Sequence, residues 1–223
     1  MSKRFLAILA VIIIGFIGIY FFGSKNKAGI TPGSSSYVQP TNHVMGSGSS
    51  GVTLLEYGDY QCPVCGAYYP VVKQVVSQMS NKIYFQFRNL PLSSIHQNAV
   101  AGARAAEAAG KQNKYFEMHD ILYENQQTWS QSSTPMTYFE SYASQLGLDV
   151  NKFKTDYASS EVNSLINADL SAFAQTKQQE ATPTFFINGV YISNSDVADS
   201  NGPSASKLTD ALNKAIAAQS QNK

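Results

Sequence analysis

The sequence predicts an α/β domain in which a strand–helix–strand start and a hairpin–helix end enclose a helical block. A single apolar segment long enough to cross a membrane precedes it. Three observations predict this. Runs of strand type occur at residues 52–57, 82–88 and 184–192, towards the two ends of the globular part. Residues 93–179 between them carry helical patterns and no strand signal. The only two cysteines of the 223 residues, Cys62 and Cys65, stand where the first strand gives way to the first helix.

Residues 5–22 hold 18 side chains without a charge, after Lys3 and Arg4. As a helix they span roughly 27 Å, close to the ~30 Å hydrocarbon core, and Tyr20, Phe21 and Phe22 suit its interfacial end. A cleaved signal peptide is the alternative. It needs a shorter apolar core and a small-residue cleavage site, for which Gly23-Ser24-Lys25 is a poor match. Residues 1–22 are therefore read as an uncleaved single-pass anchor, and the very short leading segment favours an N-in, C-out orientation. Residues 23–51 contain six Gly, seven Ser and two Pro, the composition of a flexible linker reaching roughly 30 Å. His43 falls in or near it and is expected to be solvated.

The globular domain is expected over residues 52–223. Residues 52–57 read as a buried strand, and Gly58 to Gln61 as the loop into the cysteines. Glu56 is the one carboxylate in that run. It either faces outward from the strand or is a buried acid beneath the cysteines, where burial would raise its pKa and let it exchange a proton with Cys65. From Cys65 to Ser80, Ala67, Tyr68, Val71, Val72, Val75, Val76 and Met79 recur at helical spacing. Pro70 within this run is expected to kink the helix. Residues 82–88 alternate as a second strand. Helices are expected near 99–109, 114–124, 136–146 and 162–176, with His96, His119 and the aromatic residues of this block read as packing or surface groups. Asn188-Gly189 between two short apolar runs is a two-residue hairpin signal, and a last helix follows at about 204–218.

Two cysteines at this spacing, at a helix start, favour redox chemistry. A thiolate is the nucleophile in disulfide exchange, and a helix N-terminus stabilises it. Pro63 suits the first helical position, where its missing N–H costs nothing. Cys62 is thus read as an exposed nucleophile and Cys65 as a buried resolving thiol. A zinc site would need about four ligands, and neither a second cysteine pair nor a histidine pair is present. A structural disulfide closing so short a loop removes little unfolded-state entropy, and two unrelated buried thiols do not account for the spacing. No metal or cofactor is expected. The net charge of +1 gives no electrostatic footprint for nucleic acid.

Four separated motifs carry a resemblance: residues 59–66 (Asp-Tyr-Gln-Cys-Pro-Val-Cys-Gly), residues 88–92 (Arg-Asn-Leu-Pro-Leu) with His96 and the Ala-rich helix, residues 115–119 (Tyr-Phe-Glu-Met-His) with Leu122, and residues 181–185 (Ala-Thr-Pro-Thr-Phe). In this order they resemble the DsbA-like family of thioredoxin-fold thiol oxidoreductases, in particular its membrane-anchored bacterial members, over about residues 43–218. The resemblance implies a thioredoxin-like core with an inserted helical lid, Cys62 as nucleophile, Glu56 as the buried acid and a cis peptide bond before Pro183. It places Pro63, Val64, Thr182 and Pro183 against the substrate, with an exposed Thr182 backbone pairing with an extended chain. Val64 cannot donate a hydrogen bond to the Cys62 thiolate, so a less depressed Cys62 pKa is expected than where a histidine stands there.

The implied activity is that of an extracytoplasmic, cell-membrane-anchored oxidase passing its disulfide to exported polypeptides with free thiols. A quinone-linked membrane partner would reoxidise it. A reductase or isomerase is the alternative, and a tethered chaperone-like binding domain with an incidental dithiol is a third reading.

Overall fold

A computed structural model of the chain describes residues 38–221. The expected membrane helix at residues 5–22 and the first part of the linker lie outside these residues. No helix among the described residues is long and apolar enough to cross a membrane.

A five-stranded sheet organises the domain: β1 (His43–Met45), β2 (Val52–Gly58), β3 (Ile83–Asn89), β4 (Thr184–Ile187) and β5 (Val190–Ile192), in the spatial order β1-β3-β2-β4-β5. Only β2 and β3 are parallel; β1, β4 and β5 pair antiparallel to their neighbours. The β2–β3 crossover is helix α1 (Pro63–Met79), which packs on the sheet together with the last helix (Ala205–Gln221). Val52, Leu54 and Glu56 alternate onto one buried face, where Val75, Val76, Phe85, Phe87, Leu208 and Leu212 form the core. Tyr57 points to the other face, against Phe173 and Phe186.

Six helices intervene between β3 and β4: α2 (Ala99–Gly110), α3 (Tyr115–Glu124), α4 (Gln126–Trp129), α5 (Pro135–Gln145), α6 (Val150–Ala158) and α7 (Ser160–Gln175). This is the expected inserted helical domain. Two of its helices were not foreseen. α6 is capped by Asp149, whose carboxylate accepts from Lys152 N, and it buries Phe153 with Tyr157 packed beside it. The four-residue α4 is too short to show a period. α1 continues through Pro70, which sits at an exposed position, so the missing N–H falls on its solvated side. A short helix α8 (Asn194–Val197) and a two-residue ladder of β6 (Ala198–Asp199) and β7 (Gly202–Pro203) precede the final helix, α9.

The start of the domain corrects the linker boundary. From residue 38 onward the chain is part of the fold: β1 pairs with β3, and the Gly/Ser run at 46–51 is a built turn. Ser47 N donates to Ser80 O at 2.7 Å and Ser50 N to Lys82 O at 2.9 Å. Gly48 has φ +56° and lies so close to the Tyr84 ring that a Cβ would overlap it. Composition suggested flexibility, but these glycines serve close approach and left-handed backbone.

His43 is likewise not solvated. Its ring stacks on Tyr115 at 3.4 Å, and Nε2 donates to Glu107 Oε2 at 2.9 Å. Glu107 belongs to a buried polar cluster. Asn89 Nδ2 donates to Glu107 Oε1 (2.6 Å) and Asp169 Oδ2 (3.1 Å), while Thr41 N donates to Asp169 Oδ1 (2.7 Å). These bonds tie together the N-terminal segment, the end of β3, and helices α2 and α7. Burial pushes the Asp169 carboxyl up, and the Asn89 and Thr41 donors counter it. Replacing His43 by alanine removes the stack and leaves one Glu107 oxygen short of a donor. His43→Ala should cost about 2 kcal/mol, read as a lower urea midpoint at unchanged slope; a midpoint like the wild type would show that the cluster does not hold the segment.

Candidate active site

The dithiol sits at the mouth of α1 because β2 ends there. Leu90 N pairs with Gly58 O, and a turn closed by Cys62 N→Asp59 O (3.1 Å) delivers Cys62 to the N-cap of α1. Cys62 has extended backbone (φ −65°, ψ 120°), Pro63 occupies the first helical turn, and Gly66 N makes the first helical bond to Cys62 O at 3.0 Å. Pro63 and Val64 are exposed, Val64 at 49%.

Both sulfurs are free thiols and both residues are buried. Cys62, expected to be exposed, is 6% exposed, and Cys65 is fully buried. The cover over Cys62 is the segment before β4. The Thr182–Pro183 peptide bond is cis, and Thr182 O lies 3.5 Å from Cys62 Sγ. That contact also corrects the expectation for Thr182, which is only 8% exposed because Cys62 packs against it. Its hydroxyl has no partner among the described residues, which leaves it free for the sulfur. Pro183 is buried too.

The two thiols are driven apart electrostatically. Cys62 is lowered to about 5, first by a hydrogen bond from the Cys65 thiol, then by Thr182 and the backbone N–H groups of Cys65 and Val64, against the cost of its own burial. Burial pushes Cys65 well up, and Cys62 and Glu56 add to it. Glu56 shares the buried face, between its strand neighbours Phe87 and Phe185, and is 3% exposed. Burial between those rings, and then the Cys62 charge, raise Glu56 to about 8. The inward reading of Glu56 therefore holds, and the outward one does not. One turn of helix thus favours a thiolate at Cys62 and a thiol at Cys65, beside an acid whose pKa is raised to about 8.

The bracing roles of the residues around this turn were not legible from spacing, although Asp59, Gln61, Gly66 and His96 lie in the motifs. Asp59 accepts from Gln61 N (2.8 Å), Leu92 N (3.0 Å) and His96 Nδ1 (2.7 Å), fastening the loop after β3 to the approach to Cys62. Gln126 on α4 donates from Nε2 to Tyr60 O (2.8 Å) and Cys62 O (2.9 Å). A Cβ on Gly66 would lie 2.5 Å from Gln126 Oε1, so the clamp requires glycine there. Gln61 donates to Ser130 O at 2.7 Å. Gln61 and Gly66 lie in the cysteine motif and were legible only as part of it. Gln126 is over sixty positions away in sequence and carries no motif.

The family model described as thioredoxin matches residues 38–202. A thioredoxin-like oxidoreductase from Silicibacter pomeroyi DSS-3 is 26% identical, with a TM-score of 0.63, over 79% of this chain and 93% of that one. The alpha-DsbA1 of Wolbachia pipientis is 17% identical, with a TM-score of 0.67, over 84% of this chain and 96% of that one, and so shares the fold. Among curated proteins, the Na(+)/H(+) antiporter NhaA 1 of Salinispora arenicola is 36% identical over 148 residues, 66% of this chain and 22% of the antiporter. The chain thus spans about a fifth of the length of the curated relatives it matches.

Two titrations follow. Thiolate absorbance of the reduced protein should give a Cys62 midpoint near 5, and Val64→His, which adds a donor, should lower it further; a midpoint near that of a free cysteine would contradict the geometry. Glu56 binds its proton more tightly folded than unfolded, so the folded state holds extra proton between pH 4.5 and about 8. The Glu56 contribution to stability therefore falls as pH rises through that window, while the depressed Cys62 pKa makes an opposing, rising contribution in the reduced protein. Glu56→Gln should remove the falling part, so that the variant gains several kcal/mol relative to the wild type between pH 5 and pH 8.5, as measured by denaturation of both reduced proteins at those two pH values.

Proposed function

The chain belongs to the thioredoxin family, and we propose that it is a thiol:disulfide oxidoreductase that works as an oxidase of exported polypeptides from a membrane anchor. The observation that carries the direction is the split between the two sulfurs. A thiolate stabilised at Cys62 is a good leaving group, and a reduced form stabilised in this way makes the disulfide form the more oxidising. The sign is consistent. With its folded pKa depressed, Cys62 stabilises the reduced fold above its unfolded pKa, and that stabilisation is lost only as pH falls through about 5.

The reaction has two steps. A substrate thiolate attacks Cys62 Sγ of the disulfide; the Cys62–Cys65 bond breaks, and Cys65 leaves and takes a proton, which Glu56 is placed to supply. A second substrate thiolate then attacks the substrate sulfur of the mixed disulfide and expels Cys62 as thiolate. The substrate loses two electrons and gains a disulfide, while the enzyme is left as the dithiol. Pro63 and Val64, exposed beside Cys62, are the surface on which the substrate chain rests, while Thr182 and Pro183 are buried over the Cys62 sulfur. Reoxidation falls to a quinone-linked membrane partner. The apolar stretch at residues 5–22 supports the anchor and the extracytoplasmic location, where disulfides persist. Ion transport is not carried over from the antiporter relatives, since the match covers 22% of their length.

Redox equilibrium against glutathione, read by thiol alkylation, tests the direction. The expected potential is at or above the ~−180 mV of protein disulfide isomerase; a value near the ~−270 mV of thioredoxin would make the chain a reductase. Cys65→Ser should trap a mixed disulfide when its Cys62 thiolate attacks a disulfide-bonded substrate and expels one substrate thiolate, and Cys62→Ser should form none. A doubly substituted protein that kept its cellular role would instead mark a binding domain.

A further inference from the structure

Glu56 can serve the dithiol repeatedly only if its proton reaches bulk water, and at 3% exposure it does not do so directly. It lines a cavity of about 300 Å³ between the sheet, α1 and α3. Most of the wall is apolar, but Glu56, Tyr123 and His119 line it, with Lys73 and Asp120. The Tyr123 hydroxyl and His119 Nε2 are buried with no hydrogen-bond partner among the described residues. Native proteins rarely leave such atoms unpaired. A cavity of this size with three polar groups meets the requirements for held water.

His119 connects this interior to the surface. Its Nδ1 lies 3.1 Å from Asp120 Oδ1. A carboxylate can only accept, so Nδ1 carries the hydrogen and the buried Nε2 keeps a bare lone pair without a partner among the described residues. Asp120 has a side chain 35% exposed and is paired with Lys73 at 3.0 Å. Around the ring, α1 contributes Tyr69 and Lys73 and the loop before Cys62 contributes Tyr60, while Glu56 of β2 lines the same cavity. Burial lowers His119 below its ordinary value, Asp120 partly restores it, and Lys73 lowers it again. The ring is thus neutral at neutral pH and able to accept.

We propose that this cavity is the proton path of the dithiol, in which water carries the Cys65 proton between Glu56 and His119, and His119 relays it to Asp120 and solvent. The proposal rests on the reading of Glu56 as the acid–base partner of Cys65. When the dithiol is reoxidised, Cys65 gives its proton to the Glu56 carboxylate. The resulting acid passes it through water to His119 Nε2, and the imidazolium releases its Nδ1 proton to Asp120, leaving the ring protonated at Nε2. When the disulfide is next reduced, Cys65 needs a proton, and the reverse sequence restores the Nδ1–H form. The tautomer therefore resets once per cycle, and no electrons travel this path. His119 is a positioning and relay residue and touches neither sulfur nor substrate.

The test is the resolving step alone. Protein carrying a Cys62–glutathione mixed disulfide is followed by acid quench and mass as it closes to Cys62–Cys65 between pH 6 and pH 8. Glu56→Gln should slow closure about tenfold or more, and His119→Gln about tenfold, while the attack of Cys62 on oxidised glutathione keeps its rate in His119→Gln. Asp120→Asn, at the solvated end where folding is not at risk, should slow closure about threefold. Added imidazole should restore closure in His119→Gly. Closure at the wild-type rate in His119→Gln, with Glu56→Gln slow, would overturn the relay and leave Glu56 its role. Closure at the wild-type rate in Glu56→Gln would remove the premise itself. A defect in His119→Gln that also slows the first attack, or one in His119→Gly that imidazole does not relieve, would mark a merely structural residue and overturn the relay.

Discussion

The interaction on which the rest depends is the burial of a carboxyl beside a buried thiol where β2 runs into α1. Two acids that would each ionise in water are held without water, so their charges must be shared out. Cys62, at the N-cap, takes the charge because donors from Cys65, Thr182 and the first helical turn converge on it. Cys65 and Glu56 are pushed towards their neutral forms because burial outweighs what compensates them. The aromatic side chains flanking Glu56 on β3 and β4 are therefore part of the chemistry: they exclude the solvent that would otherwise collapse the difference.

Much of this was legible in the sequence because it is local. Cys62, Pro63 and Cys65 announce an N-cap, a first-turn proline and a thiol one turn on. Asn188-Gly189 announced a hairpin, and the two residues adopt φ 50° and 79°, the left-handed pair such a turn requires. What stayed hidden depends on contacts distant in sequence. The clamp from Gln126 onto Cys62 O and the Asp59–His96 bond lie between residues that no period or spacing connects. The first ordered strand was hidden for another reason: its flanking glycines and serines are linker residues by composition, and only the proximity of Tyr84 and Ile83 shows why they are small.

Glu107, Asp169 and Asn89 solve a different problem. The helical insertion buries apolar surface against itself, and that alone would not fix its orientation on the sheet. A buried polar cluster whose donors come from the N-terminal segment, β1 and β3 and whose carboxylate acceptors sit on α2 and α7 has few satisfactory arrangements. Its directionality complements the non-directional packing of Phe139, Phe153 and Trp129. The insertion in turn supplies α3, which lines the cavity beside Glu56, and α4, whose Gln126 braces the loop into Cys62.

The hairpin at residues 188–189 also acts as an index mark. Asn188 Oδ1 accepts from Thr53 N at 2.8 Å, and Asn188 N donates to Thr53 O at 3.0 Å. This locks β4 to β2 at the far end of the strand from Pro183. A slip of one residue would shift Pro183 by about 3.3 Å and turn its neighbours to the wrong face. Because β4 is measured off from this mark rather than from the preceding helices, the long insertion can lengthen, shorten or change sequence over evolutionary time while the gap between Pro183 and Cys62 stays the same.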